Sequence, residues 1–163
     1  RLAAEIRATG ARVHLEIHQA PAVDAATALH ELNGLETAAM TRIVRALAPA
    51  RVWVDGLTNR PGAFGRRLEE LARPLRVRVV SESRADERYP LVQAASILAK
   101  VARDAAIAAL ARVHGEIGSG YPGDPKTRAF LRRCAEAGTF PPFVRQSWGT
   151  VARLTVRPAA DAA

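Results

Sequence analysis

Short β-branched stretches alternate with amphipathic helical stretches along this chain, and that alternation limits the fold more than any other feature. Residues 51–55, RVWVD, read as a strand ending in a carboxylate. A loop at 56–62 follows, then an amphipathic helix over 63–72, and then a second strand over 75–81 in which Leu75, Val77 and Val79 share a face. Strands separated by helices define an α/β layer fold with at least partly parallel pairing. Upstream, residues 12–17 alternate Val13, Leu15 and Ile17 against Arg12, His14 and Glu16, the pattern of a half-buried strand. Pro21 and Asp24 break that pattern. Asn33 and Glu36 have the spacing of a capping box, opening a helix to about Leu47 whose inward stripe is Leu35, Ala39, Ile43 and Leu47.

The longest helical stretch, 90–117, is so rich in Ala, Leu, Ile and Val that most of its circumference is expected to be buried. GSGYPG at 118–123 ends it, and Asp124 with Pro125 supplies the N-cap and first-turn pair of a further helix ending near Gly138. The last part, VARLTVRP at 151–158, reads as a short strand or a frayed end.

At 163 residues and 48% apolar, the chain suits a single domain with a sizeable core. It has no apolar run near the roughly 18 residues of a membrane span and no secretory-signal layout, so an intracellular, cytoplasmic location is expected. Its single cysteine, Cys134, excludes an internal disulfide and a cysteine-rich zinc site. Lys plus Arg exceed Asp plus Glu by 24 to 16, a net charge of +8 that favours a polyanionic partner. Nearly all of the basic residues are arginine, so part of the excess is compositional. Eight aromatic residues (Phe 4, Trp 2, Tyr 2) give no visible base-stacking platform. The chain begins at Arg1 and its only methionine is Met40, so coding sequence is expected upstream.

Two carboxylates stand out. Asp55 closes a strand, where α/β sheets commonly seat ligands, and is either a metal ligand or a turn-forming residue before Gly56. Asp104 lies in the mostly apolar helix and needs a cation, a metal or a wet edge; Lys100, one turn earlier, is the alternative partner, in the charge order that helices favour less. The four histidines lack zinc-site spacing. No G-x-S-x-G elbow, P-loop or dinucleotide fingerprint occurs, which removes covalent acyl chemistry and nucleotide hydrolysis as leading readings.

The segment ADERYPLVQAASILAKVARD, 85–104, resembles the ribonuclease HII signature around the last catalytic aspartate of that family. RVWVDG at 51–56 resembles the strand bearing its third carboxylate. LNGLE at 32–36, GSGYPGDPKT at 118–127 and FPPFVRQSW at 140–148 resemble further blocks of the archaeal and eukaryotic-like type, in order. The resemblance implies a ribonuclease H-like fold, a mixed sheet flanked by helices, over about 1–117, with a helical, substrate-contacting region over about 118–163. It implies cleavage of the RNA strand of RNA–DNA hybrids, and of ribonucleotides embedded in DNA, leaving 5′-phosphates. Asp55 and Asp104 would be two of four carboxylates holding two magnesium or manganese ions about 4 Å apart, the spacing at which such ions activate water and stabilise a leaving oxygen. Tyr121 would pack on a sugar at an RNA-to-DNA junction, and Lys100, Arg103 and Arg145 would contact phosphates. The ribose is distinguished through its 2′-OH.

The family's Gly-x-Asp-Glu-Ala-Gly-Arg-Gly motif and its nearby Ser-Lys motif are absent from the sequence, and with them two metal ligands, the glycine-arginine loop and the first, central strand. The expectation is an N-terminally truncated, poorly active and marginally stable monomeric piece of such an enzyme. The competing expectations are a basic domain that binds hybrid or duplex nucleic acid without chemistry, and a decayed product without function. A replication-clamp partner is conceivable by family, but the terminal VRPAADAA holds no clear clamp-binding peptide.

Overall fold

The computed structural model describes residues 1–57 and 59–155. Seven α-helices and two strands are formed among them: α1 Leu2–Ala8, α2 Ala20–Ala28, α3 Leu32–Leu47, β1 Arg51–Asp55, α4 Pro61–Leu71, β2 Arg78–Glu82, α5 Pro90–His114, α6 Pro125–Glu136 and α7 Gly149–Thr155. The chain divides into two compact units, 1–17 with 33–102 and 18–32 with 103–163.

In the first unit, β1 and β2 pair in parallel with Arg51 opposite Arg78 and Asp55 opposite Glu82. The expected mixed sheet is represented, among the described residues, by these two parallel strands. Helix α4 connects them and packs on β2. Val44 of α3, Leu68 of α4, Ala72 and Val77 form the core, with Met40, Val52, Val54 and Val79 against it. Leu68 and Ala72 are fully buried. The backbone N–H of Val79 donates to Glu69 Oε1 at 2.7 Å, so a strand donor without a ladder partner is met by a side chain from α4.

The second unit is helical. Ile117, Phe130, Leu131, Cys134, Val144 and Val151 form its core, joined by Ile107, Leu110, Phe140, Phe143 and Trp148. Asp124 caps α6 as expected, accepting from Lys126 N at 2.9 Å, and Gly138 follows the helix with a positive φ of 69°. Cys134 is buried and unpaired with another cysteine.

Several expectations need correction. Residues 12–17 form no strand. Alternation is necessary for a half-buried strand, but a ladder partner decides it, and among the described residues none pairs with this segment. It is tied down through side chains instead. Arg12 donates to the carbonyls of Ala46 and Leu47, and Glu16 accepts from Arg42 Nε at 2.8 Å. Val13, Leu15 and Ile17 all remain exposed.

Pro21 does not break structure but sits in the first turn of α2, where its missing N–H costs nothing. Helix α3 begins at Leu32, so Asn33 is its second residue and its carbonyl accepts from Thr37 Oγ1 rather than its side chain capping the helix. The buried face of α3 is Ala39, Thr41 and Val44, turned from the expected stripe, in which only Ala39 is buried. Strand β2 runs 78–82 and not 75–81, since Leu75 still belongs to the turn after α4.

Helix α5 buries only Val92 and Leu98, leaving Leu91, Val101 and Val113 exposed. Apolar composition measures what a helix can bury and not what covers it. Residues 151–155 belong to a helix, and residues 156–163 lie outside the described residues.

Candidate functional site

Asp55 ends β1 in the first unit. The residue after it must be small, because a Cβ on Gly56 would lie 2.8 Å from Pro61 Cβ. Gly56 N–H donates to Glu82 O at 2.9 Å, extending the parallel register one residue past the strands. Arg84 adopts a left-handed φ of 57°, a conformation costing an L-residue about 1–2 kcal/mol. After it the Ala85 N–H donates to Asp55 Oδ1 at 3.4 Å. The aspartate is otherwise exposed. Its register partner, Glu82, is held by Tyr89 Oη at 2.8 Å and by Arg88, and Tyr89 in turn packs against Trp53 with ring centroids 6.3 Å apart. The Tyr89 hydroxyl is correspondingly raised in pKa, chiefly by its bond to Glu82. Glu82 was not among the residues singled out in the sequence; only the strand register places it beside Asp55.

Lys100 is an exposed residue of α5 in the first unit. The remaining singled-out residues fall in the second unit, and the structure joins three of them. Asp104 Oδ1 accepts from Arg103 Nη1 at 3.1 Å, so its ion pair is with its neighbour and not with Lys100. The Arg103 guanidinium carbon lies 3.8 Å from the centroid of the Tyr121 ring, a close cation–π contact. Gly120 permits this approach: its φ is +72°, and a Cβ there would lie 2.9 Å from both Arg103 Nη2 and Ile107 Cδ1. Tyr121 is about half exposed, at 48%.

The loop carrying Tyr121 is built from α6. Asp124 accepts from the backbone N–H of Ser119 at 2.5 Å and from that of Lys126, and its pKa falls to about 2, with the Ser119 bonds the largest cause. Thr127 Oγ1 accepts from Gly120 N at 2.9 Å and donates to Ile117 O at 3.1 Å, although the residue is buried. These two positioning residues were missed as such. The DPKT tetrapeptide following a glycine-rich loop was the signal that could have found them.

Arg103, Tyr121 and Arg145 also line one cavity of about 330 Å³, together with Phe130, Phe143 and Trp148. Arg145 lies 6.0 Å from the Trp148 ring centroid, and its Nε is buried without a hydrogen-bond partner. The second unit thus presents a hydrophobic recess rimmed by two guanidinium groups and a tyrosine face, a chemistry suited to a sugar–phosphate chain.

Among the described residues, no three His, Cys, Asp or Glu side chains gather closely enough to hold a metal ion. Asp55 and Asp104 are nonetheless exposed oxygen donors, the hard type that magnesium and manganese take, and neither carboxylate is consumed by a buried ion pair. Each is of the donor type that such ions take, and neither carboxylate alone completes a coordination sphere. No helix among the described residues is long and apolar enough to cross a membrane.

A family model for ribonuclease HII matches residues 1–151. The chain belongs to the ribonuclease HII family. It is 42% identical over 125 residues to a ribonuclease HII from Caldivirga maquilingensis, a match spanning 76% of this chain and 58% of that protein. It is 44% identical over 128 residues to the ribonuclease HII of Cenarchaeum symbiosum, spanning 77% of this chain and 60% of that one. The chain therefore spans about three-fifths of the length of these relatives. Among solved structures, the ribonuclease HII in a PCNA complex from Archaeoglobus fulgidus superposes with a TM-score of 0.77 at 37% identity, covering 87% of this chain and 68% of that one. Ribonuclease H2 from Pyrococcus horikoshii gives 0.75 at 34% identity, covering 83% and 64%. The ribonuclease H-like α/β fold expected from the sequence is the fold of these neighbours.

Proposed function

We propose that this chain is part of a nuclease that hydrolyses the RNA strand of RNA–DNA hybrids and cuts at ribonucleotides embedded in DNA, leaving 5′-phosphates. The observation that carries the reading is the chain of contacts from Asp104 through Arg103 to Tyr121, the last two of which line one recess. Asp55 and Asp104 would hold divalent magnesium or manganese together with ligands supplied from outside these 163 residues. When bound, such ions supply an activated water and electrostatic relief for a leaving oxygen.

The chain's own residues bind and orient. Tyr121 offers its face to a sugar. Arg103 is held between that ring and Asp104, so its side chain is already ordered when a phosphate arrives, which reduces the entropy lost on binding. Arg145, which lines the same recess, supplies a second guanidinium for the backbone, and Lys100 adds a further positive charge on α5. The net charge of +8 favours encounter with a polyanion. A sliding-clamp partner is a further part of the reading, supported by the Archaeoglobus neighbour's complex with PCNA.

The test is cleavage by the intact protein of a duplex bearing a single ribonucleotide, with and without magnesium. Magnesium-dependent cutting 5′ to the ribonucleotide is expected, and Asp104→Asn should abolish it while leaving hybrid binding within about threefold. Salt-sensitive duplex binding that ignores magnesium, with no cutting, would replace this reading by that of a basic binding domain.

A further inference from the structure

The residues after Arg145 are held by an acid from far upstream in the sequence. Asp24, on α2, accepts from Gln146 N at 2.8 Å through Oδ2, and from Ser147 N at 3.1 Å and Ser147 Oγ at 2.5 Å through Oδ1. These are consecutive backbone donors of the turn closed by Trp148 N to Arg145 O at 3.2 Å. Both carboxylate oxygens are therefore spent on the turn's backbone and hydroxyl, and none on the guanidinium of Arg145. Burial pushes the Asp24 pKa up, but the bonds from Ser147 and Gln146 and the nearby charge of Arg145 outweigh it and hold the carboxyl below its ordinary range.

Arg145, by contrast, is partly buried with an Nε that lacks any partner, on the wall of the recess that also holds Arg103 and Tyr121. An arginine whose Nε is buried without a hydrogen-bond partner is suited to an oxyanion, since the planar fork of a guanidinium matches a phosphate and the desolvation of that nitrogen has already been met by folding. An acid that bonded the guanidinium directly would cancel that charge. One that bonds the backbone of the two residues after it fixes its direction and leaves its N–H donors to the ligand.

We infer that Asp24 is a positioning residue for nucleic-acid binding, clamping the 145–148 turn so that Arg145 meets a backbone phosphate of the bound hybrid. This rests on the nuclease reading above.

The test uses the intact protein and a fluorescein-labelled RNA–DNA hybrid, with anisotropy recorded across a sodium chloride series in EDTA. Arg145→Ala should weaken binding by about tenfold and lower the slope of log K against log salt by about one. Asp24→Ala should reproduce most of both changes, and Asp24→Ala with Arg145→Ala together should bind no more weakly than Arg145→Ala alone. Asp24→Asn, which keeps one carbonyl acceptor, should fall between. With magnesium, Asp24→Ala should raise KM while kcat stays within about twofold.

Wild-type-like binding by Asp24→Ala, or losses that multiply in the double variant, would overturn the positioning role. If Asp24→Ala does not fold, Asp24→Asn and Ser147→Ala, each combined with Arg145→Ala, give the same comparison. A wild-type protein with no salt-sensitive affinity for the hybrid would sink the nuclease reading and this inference together. A wild-type protein that binds, with no coupling between positions 24 and 145, sinks the inference alone.

Discussion

Replacing Gly120 by alanine tests how tightly the Tyr121 loop and Arg103 are fitted to each other. The backbone there has a φ of +72°, so an L-residue pays about 1–2 kcal/mol for the left-handed conformation alone. The new Cβ would sit 2.9 Å from Arg103 Nη2 and from Ile107 Cδ1, nearer than real contacts allow. Both atoms end flexible side chains, so they move rather than forcing the backbone apart. Their movement pulls the guanidinium off the Tyr121 ring, now 3.8 Å from its centroid, forfeiting a contact of about 0.5–1 kcal/mol at an exposed site. The sum is about 1.5–3 kcal/mol, equivalent to a drop in Tm of about 3–12 °C for a protein of this size or somewhat larger. Circular dichroism melts of the intact protein and its Gly120→Ala variant measure the drop, and hybrid binding should weaken in parallel. An unchanged Tm together with unchanged affinity would refute the account, because it would mean that neither the backbone sign nor the Arg103–Tyr121 stack matters. Arg103→Ala serves as the comparison: on that background Gly120→Ala should cost only the backbone part.

Other expectations follow from single features. Leu131→Ala, at a side chain 2% exposed in the core of the second unit, should destabilise by about 2–5 kcal/mol in denaturant unfolding, whereas a change at exposed Leu29 should stay within about 0.5 kcal/mol. Asp124 has its pKa depressed from 3.8 to about 2, so the stabilisation it gives the 118–123 loop is fully present above about pH 4 and is lost as pH falls through 2. The Ser119 amide resonance should report that titration, and Asp124→Asn should remove it; a Ser119 shift that persists in Asp124→Asn would refute the assignment. The 163-residue chain by itself should show negligible hybrid hydrolysis in a magnesium-containing cleavage assay, and robust cutting would refute the need for further metal ligands.

Local signals were the readable ones. Strand β1 was legible to the residue because three β-branched or aromatic residues, Val52, Trp53 and Val54, lead directly into Asp55 and Gly56, and the start of α6 was legible because the Asp124–Pro125 pair is complete within two residues. Residues 12–17 carry an equally clean alternation and form no strand, since pairing depends on what lies beside a segment. Helix α2 was hidden by Pro21, which reads as a breaker unless the turn to which it belongs is already known. The burial of α5 was overestimated for a related reason: its composition is apolar on every side, and only the surroundings decide which sides are used. At the site, Asp104, Arg103 and Tyr121 were identifiable by resemblance, but their mutual contacts were not, and the bond of Asp104 to Arg103 instead of Lys100 depends on side-chain direction along the helix. Asp24 was beyond reach altogether, because its partners lie 122 and 123 positions away.

The two units differ in how early their decisive contacts can form. Strand β1, helix α4 and strand β2 are contiguous, so the ladder that carries Asp55 closes over a short stretch of polypeptide and can assemble on the ribosome while later segments are still being made. The clamp of Asp24 on residues 146 and 147 cannot close until the polypeptide has been synthesised past that turn. The acid-bearing strand is therefore in place first, and the 145–148 turn is among the last features to settle, an order that pulse-labelled hydrogen exchange on nascent chains of increasing length would record.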